Sequence, residues 1–366
     1  MQSVSIVGAG TAGLIAAKRL GELGVRSRVY DQKAELGLPA RASGIVSITG
    51  LATLGMDYSA SITNTLHGAN IHAAGKAMKV RAEKAVAHVL DRKKLNDICH
   101  DEAVRSGAEV ITGNRITGAA LERMSEDGVV IGADGAVSTV ASHFSMGSTP
   151  RHVLTWKAEY NIDAPEEGVV DLFFDNSCCK GLFAWLCPNS RDILEVGVGV
   201  DARYGNSRAA FSRFIARKEV KDIMGTGKLL SEGASMIPME LRERVADESR
   251  RALLVGDAAG HVKPTTGGGI VFGGNGAVMA ADVVSSYLDG KGTLREYSSR
   301  FAKRYGMDIA MHSLINKVYS SAPHRALGAS ISVMNALGMD RFLGRYGDMD
   351  RPTVMLKRFF LRGLAL

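Results

Sequence analysis

A short apolar run, Ser3-Val4-Ser5-Ile6-Val7, breaks directly into Gly8-Ala9-Gly10-Thr11-Ala12-Gly13. Few openings restrict a fold so tightly. The run predicts a strand, and the residues after the glycines predict a helix to about Leu23, with Leu14, Leu20 and Leu23 on its inner face. Ser27 to Tyr30 predicts a second strand, ending at Asp31. Each glycine has its own task. Gly8 permits the tight turn, Gly10 lets backbone approach a pyrophosphate at the helix N-terminus, and Gly13 lets helix and strand pack closely, with Ala12 the small residue between them. Asp31 lies 18 residues beyond Gly13, where a carboxylate accepts ribose hydroxyls. The unit predicts a Rossmann-like parallel sheet and a bound dinucleotide.

Composition sets the frame around that unit. At about 150 residues per domain, a chain of 366 residues holds two domains or three. Hydrophobic residues make up 46%, which excludes a disordered polyelectrolyte. Four cysteines in this length are too few for a disulfide framework and point to a reducing, cytoplasmic setting. No long uninterrupted apolar stretch predicts a membrane-spanning helix. Lys18 and Arg19 follow the first apolar run, the wrong order for a secretory signal. The net charge of +7 suits anionic ligands or an anionic surface, and no nucleic-acid-binding motif accompanies it.

Two later segments choose between dinucleotides. In Val129-Val130-Ile131-Gly132-Ala133-Asp134-Gly135 an apolar strand delivers Asp134 to a cofactor rim and Gly135 to a turn. In Leu253-Leu254-Val255-Gly256-Asp257-Ala258-Ala259-Gly260 another strand delivers Asp257, a suitable partner for a ribityl hydroxyl. Gly267-Gly268-Gly269-Ile270 then opens a small-residue helix whose N-terminal N–H groups and positive dipole end would face a flavin ring edge. These features select FAD. A second GxGxxG after a strand is lacking, so a dedicated nicotinamide domain is not expected.

In this order and spacing the three segments resemble the FAD-dependent family that includes p-hydroxybenzoate hydroxylase-like enzymes and geranylgeranyl reductases, over at least residues 1–290. The resemblance implies that Arg92 opens a helix beside the flavin and that Ile116 stands near the adenine. It also places the loop Arg41-Ala42-Ser43 at the cofactor. Lys263-Pro264-Thr265-Thr266-Gly267-Gly268-Gly269-Ile270 is similar to the reductase signature, where aromatic hydroxylases carry a Pro-Pro pair. Phe183-Ala184-Trp185-Leu186-Cys187-Pro188 is similar to the reductases' aromatic-x-Trp-x-Phe-Pro motif, and implies that Phe183, Trp185 and Pro188 line a prenyl cavity. Ala42 stands where archaeal members carry a loop cysteine. The proton donor is therefore open, with Cys187 and His261 as candidates.

The expected fold is α/β: a Rossmann-like FAD-binding domain (1–44, 81–150 and 250–295) interleaved with an antiparallel-sheet substrate domain (45–80 and 151–249), plus a helical C-terminal region (296–366). Alternating patterns at His152–Ile162, Val169–Phe174, Leu182–Leu186 and Ile193–Val200 carry the second sheet. The end, Arg351–Leu366, combines Arg351, Lys357, Arg358 and Arg362 with Val354, Met355, Leu356, Phe359, Phe360, Leu361 and Leu364 and no acid, which suits docking on the inner face of an anionic membrane or packing on its own domain. The expected activity is FAD-dependent saturation of geranylgeranyl C=C bonds in archaeal membrane-lipid precursors. The substrate would be a prenylated lipid or prenyl diphosphate, and NAD(P)H, a ferredoxin or another external donor would supply electrons. Rival readings are a chlorophyll-pathway geranylgeranyl reductase, a flavin-dependent aromatic monooxygenase or halogenase, and a non-catalytic prenyl-lipid carrier. No Trp-x-Trp-x-Ile motif supports a halogenase, since the two tryptophans are Trp156 and Trp185. Cys99, Cys178, Cys179 and Cys187 are not spaced as metal ligands, and Asp222 breaks a P-loop match at Gly225-Thr226-Gly227-Lys228.

Overall fold

A computed structural model describes residues 3–38, 42–149 and 151–362. Its first sheet has six strands in the order Ala246–Asp247, Ala252–Leu254, Gly128–Gly132, Ser3–Val7, Ser27–Tyr30, Glu109–Ile111. All neighbours are parallel except the short Ala246–Asp247 edge. Parallel strands are covered by helices on both faces, which is why the central ones are largely apolar: Val4, Ile6, Val129, Val130 and Ile131 are all fully buried. The helices Thr11–Glu22 and Ile270–Leu288 pack against each other beside this sheet.

The second sheet has seven strands, in the order Lys228–Pro238, His152–Asn161, Ile193–Asp201, Gly181–Ser190, Val169–Phe173, Gly68–Ala73, Lys76–Arg81. It is antiparallel except where Val169–Phe173 runs parallel to Gly68–Ala73. One face buries Ala184, Leu186, Val196, Val198 and Val200 against Phe211 and Phe214 of helix Ser207–Ile215. The other face carries Phe183, Trp185 and Cys187. A third, three-stranded antiparallel sheet joins Ile45–Ser47 and Ile62–Leu66 to Ala87–Leu90. Here pairing crosses the sequence division at residue 80, because Ala87–Leu90 finds its partners among residues 45–66. The chain then continues, beyond residue 295, as helices Glu296–Ser321, His324–Ala336, Met339–Tyr346 and Pro352–Arg362.

Candidate cofactor and substrate site

Two cavities lie between the sheets. The smaller, about 240 Å³, is lined by Ala9, Asp31, Lys33, Leu36, Gly37 and Asn96. The larger, about 390 Å³, reaches Phe183 and Trp185. Gly10, Thr11, Ala42, Arg92 and Ser235 line both, so the two are parts of one trough.

Two helices start at this trough. Neither Thr11–Glu22 nor Ile270–Leu288 has a side-chain cap, since Gly10 and Gly269 hold their N-cap positions. Their first N–H groups are left for a ligand, and both dipoles present a positive end to it. The local sequence makes this geometry. Gly8 has φ +108°, and a Cβ there would strike the Ala133 carbonyl. A Cβ on Gly10, by contrast, would meet nothing within 4 Å, because it would point into the trough. Asp31 accepts the Ala9 N–H at 2.8 Å and the Lys33 N–H at 2.9 Å, which ties the end of the second strand to the glycine turn.

Arg92 opens the helix Arg92–Arg105, and its buried Nη1 has no hydrogen-bond partner within the protein. Ser43 Oγ is likewise buried and unpartnered at the wall of the larger cavity. Burial pushes the Asp257 carboxyl above the usual range, opposed by the Arg92 guanidinium. Orphaned polar groups facing a trough, two uncapped helix ends and room above Gly10 fit a long polar ligand bearing a pyrophosphate.

The family model for the FAD binding domain matches residues 1–304. The chain belongs to this FAD-binding family. Its cofactor is FAD, and it is an oxidoreductase flavoprotein. This flavoprotein is 26% identical to a digeranylgeranylglycerophospholipid reductase of Methanococcus vannielii, with 82% of this chain and 81% of that protein covered. It is 24% identical to the protein of the same name from Methanocaldococcus jannaschii, over 97% of both chains. Its fold matches a geranylgeranyl bacteriochlorophyll reductase-like protein of Thermoplasma acidophilum with TM-score 0.81, at 19% identity over 98% of this chain and 96% of the other. The same fold also carries a flavin-dependent brominase, with TM-score 0.69, 15% identity and 98% of each chain covered. Fold alone therefore does not choose the chemistry.

The structure brings most of the sequence-derived residues to the trough. Gly10, Ala12, Ala42, Ser43, Arg92, Asp257, Gly267, Gly268, Gly269, Ile270, Phe183 and Trp185 line the larger cavity, and Asp31 lines the smaller. Gly8 and Gly13 shape the turn beneath it, where a Cβ on Gly13 would strike the Gly8 carbonyl. Arg41 lies outside the described residues.

Several candidates stand elsewhere. Asp134 lines neither cavity; its carboxylate accepts Ser138 Oγ at 2.6 Å and the N–H groups of Thr139 and Val140 at 2.7 and 3.1 Å, closing the turn into helix Thr139–His143. Its neighbours Ala133 and Gly135 meet the cavity instead. Ile116 is packed in the core of the first domain. Pro188 is buried away from the cavity, and its carbonyl accepts the Asn64 amide at 2.8 Å. Cys187 shares the cavity-side face with Trp185 but is completely covered, and burial pushes its thiol up. His261 is sealed in the core, stacked on Phe301 at 3.8 Å, and burial pushes its pKa down to about 3. A neutral, enclosed imidazole and a neutral, enclosed thiol are both unsuited to deliver a proton into the cavity.

Two buried ionic networks at the cavity were missed by motif reading. On the seven-stranded sheet, Lys157 Nζ donates to Glu195 at 2.8 Å and to Glu159 at 3.1 Å, and Trp185 Nε1 donates to Glu195 at 2.8 Å. Register explains the assembly. Glu159 pairs with Glu195 across the strands, an arrangement of like charges that needs a cation between them. Lys157 supplies it from the next row of the same face, where Gly197 leaves space for the Trp185 ring. Burial works against the Lys157 charge, but the two carboxylates outweigh it and hold the ammonium above its ordinary range. On the cofactor side, Lys263 Nζ donates to Asp350 at 2.6 Å, and Ser47 Oγ donates to the same carboxylate. For the first network the clue in sequence was a charged residue at an inward strand position, visible only once the register is known.

Proposed function

We propose that this flavoprotein is a reductase that saturates the C=C bonds of geranylgeranyl chains in archaeal membrane-lipid precursors. One observation carries the reading: the trough that fits FAD continues into a wall of Val170, Leu172, Leu182, Phe183, Trp185 and Ile237, an apolar slot suited to a prenyl chain. The relatives named for digeranylgeranylglycerophospholipid reduction support it. When bound and reduced, FAD supplies a hydride. The protein's own part is to hold the cofactor through Gly10, Arg92, Asp257 and Gly267–Ile270, and to exclude water while aligning an alkene beside it. Lys263-Pro264 in place of the hydroxylases' Pro-Pro pair favours a reductase over an aromatic monooxygenase. NAD(P)H, a ferredoxin or another external donor reduces the flavin.

Access to a lipid substrate suggests where the protein works. No helix among the described residues is long and apolar enough to cross a membrane. Helix Glu296–Ser321 nevertheless exposes Met307 (74%), Leu314 (55%) and Val318 (62%) along one face, flanked by exposed Lys303 and Lys317. Its acids are Glu296, paired with Arg300, and the buried Asp308. Phe360 and Leu361 of the last helix are also exposed. A basic apolar face of this kind suits contact with an anionic bilayer.

The deciding experiment is anaerobic. Dithionite-reduced protein is mixed with digeranylgeranylglycerol phospholipid, and in parallel with a geranylgeranylated chlorophyllide, while flavin reoxidation and product mass are followed. Reoxidation with mass gains in two-hydrogen steps on the phospholipid is expected. No reoxidation with either substrate would defeat the reductase reading. Flotation with anionic vesicles should weaken on Met307→Asp/Leu314→Asp; unchanged flotation in that variant and after deletion of Thr353–Leu366 would remove the membrane contact.

A further inference from the structure

Alkene saturation needs a proton as well as a hydride, and the two residues that the sequence offered for it, Cys187 and His261, do not reach the cavity. Of the ionisable residues lining the larger cavity, Arg92, Asp257 and Lys263 belong to the cofactor side. Arg92 and Asp257 face each other there, and Lys263 is committed to Asp350. Lys157 stands alone on the substrate wall, one strand removed from the row that carries Phe183 and Trp185.

We propose that Lys157 is the proton donor of the alkene saturation, positioned by Glu195 and recharged through Glu159. The inference rests on the reductase reading above. In the step, the C=C π bond is replaced by two C–H bonds. One carbon receives a hydride from the reduced cofactor and the other receives a proton from Lys157 Nζ. The two-electron oxidation of the cofactor balances the two-electron reduction of the alkene, and Lys157 is left as a neutral amine. Its proton returns from solvent by way of Glu159, whose side chain is 27% exposed and bonds Nζ at 3.1 Å. Glu159 also accepts the exposed Ser231 hydroxyl at 3.0 Å, which marks the outer end of the route.

The two carboxylates keep Lys157 protonated in the waiting cavity and so oppose the loss of its proton. The transfer is driven instead by the hydride arriving at the neighbouring carbon, which leaves no charge on the substrate, and by return of a proton to the amine through Glu159. The Trp185 ring lines the same wall and is held there by Glu195.

The test uses the full-length FAD-loaded protein, reduced anaerobically with dithionite and mixed with digeranylgeranylglycerol phospholipid. Lys157→Met should slow first-turnover flavin reoxidation by about 100-fold or more, at unchanged FAD content. Lys157→Ala should regain at least about a tenth of the wild-type rate in saturating ethylamine, a response that a merely structural lysine would not give. Glu159→Gln leaves the Lys157–Glu195 bond in place, so it should keep the first turnover and slow later ones by about tenfold. In the FAD-free protein, lysine Cε carbon-13 NMR should show Lys157 protonated at the assay pH and titrating above the exposed lysines, because the carboxylates hold its charge. Wild-type protein inert toward the phospholipid would overturn the reductase reading itself. Active wild type with Lys157→Met within about threefold of it, absence of amine rescue, or a neutral Lys157 at that pH would overturn the proton-donor assignment alone.

Discussion

Substituting Gly197 by alanine tests whether the Trp185 ring is pinned in the cavity wall. The backbone there is extended strand, so alanine brings no conformational strain of its own. The obstacle is steric: an added Cβ would stand 2.1 Å from Trp185 Cζ2 and 2.3 Å from Cε2. Ordinary contact begins near 3.4 Å, so ring and strand must separate by about 1.3 Å. The ring has little freedom to do so, because its Nε1 is bonded to Glu195 at 2.8 Å and Glu195 is itself held by Lys157. Overpacking of a tight core costs about 1–3 kcal/mol. Losing a hydrogen bond to a charged group costs about 1.5–3 kcal/mol more. The expected destabilisation is about 3–5 kcal/mol, read from the urea midpoint of the FAD-free protein with the slope unchanged. Gly205→Ala is the control: its Cβ would meet only Val200 Cγ2, at 3.8 Å, and should shift stability by less than about 0.5 kcal/mol. A loss below about 1 kcal/mol in Gly197→Ala would refute the reasoning, since the indole would then be free to retreat.

Gly10→Val should lower FAD affinity by about 100-fold or more while leaving the FAD-free protein's unfolding midpoint unchanged, because its side chain enters the trough and touches no protein atom within 4 Å at Cβ; equilibrium FAD fluorescence checks this. His261 has its folded-state pKa lowered to about 3 by burial, so its contribution to stability is complete above the unfolded value near 6.5 and is lost progressively as pH falls from there toward about 3. Between pH 7 and about pH 5 this amounts to about 2 kcal/mol, and His261→Leu should show a correspondingly flatter acid dependence of its urea midpoint. Asp350→Asn removes the charge that compensates buried Lys263 and should destabilise the protein by about 3–5 kcal/mol, measured by urea unfolding with Ser47→Ala as the milder comparison.

Much of the cofactor half is legible in one dimension because its physics is local. Ser3–Val7, the glycine turn, the helix after it and Ser27–Tyr30 appear in the structure where the sequence places them, since turn, helix start and strand each depend on neighbours a few residues away. The same holds for the strand into Asp257 and the glycine run before Ile270. Asp134 shows the limit of that approach. An acid after a strand has two local uses, and only packing reveals that this one closes a helix turn.

The chain by itself determined the dinucleotide site, the choice of FAD and the α/β class with an antiparallel second sheet, because glycine spacing and strand periodicity are properties of consecutive residues. Tertiary structure decided the character of the cavity wall on the second sheet. Lys157, Glu159, Trp185, Glu195 and Gly197 come from three different strands and meet only through register. Lys263 and Asp350 are 87 residues apart and meet only through the folding of the C-terminal region onto the flavin loop. Tertiary structure also withdrew Cys187 and His261 from the cavity wall, since burial is a property of the whole packing and of no single residue.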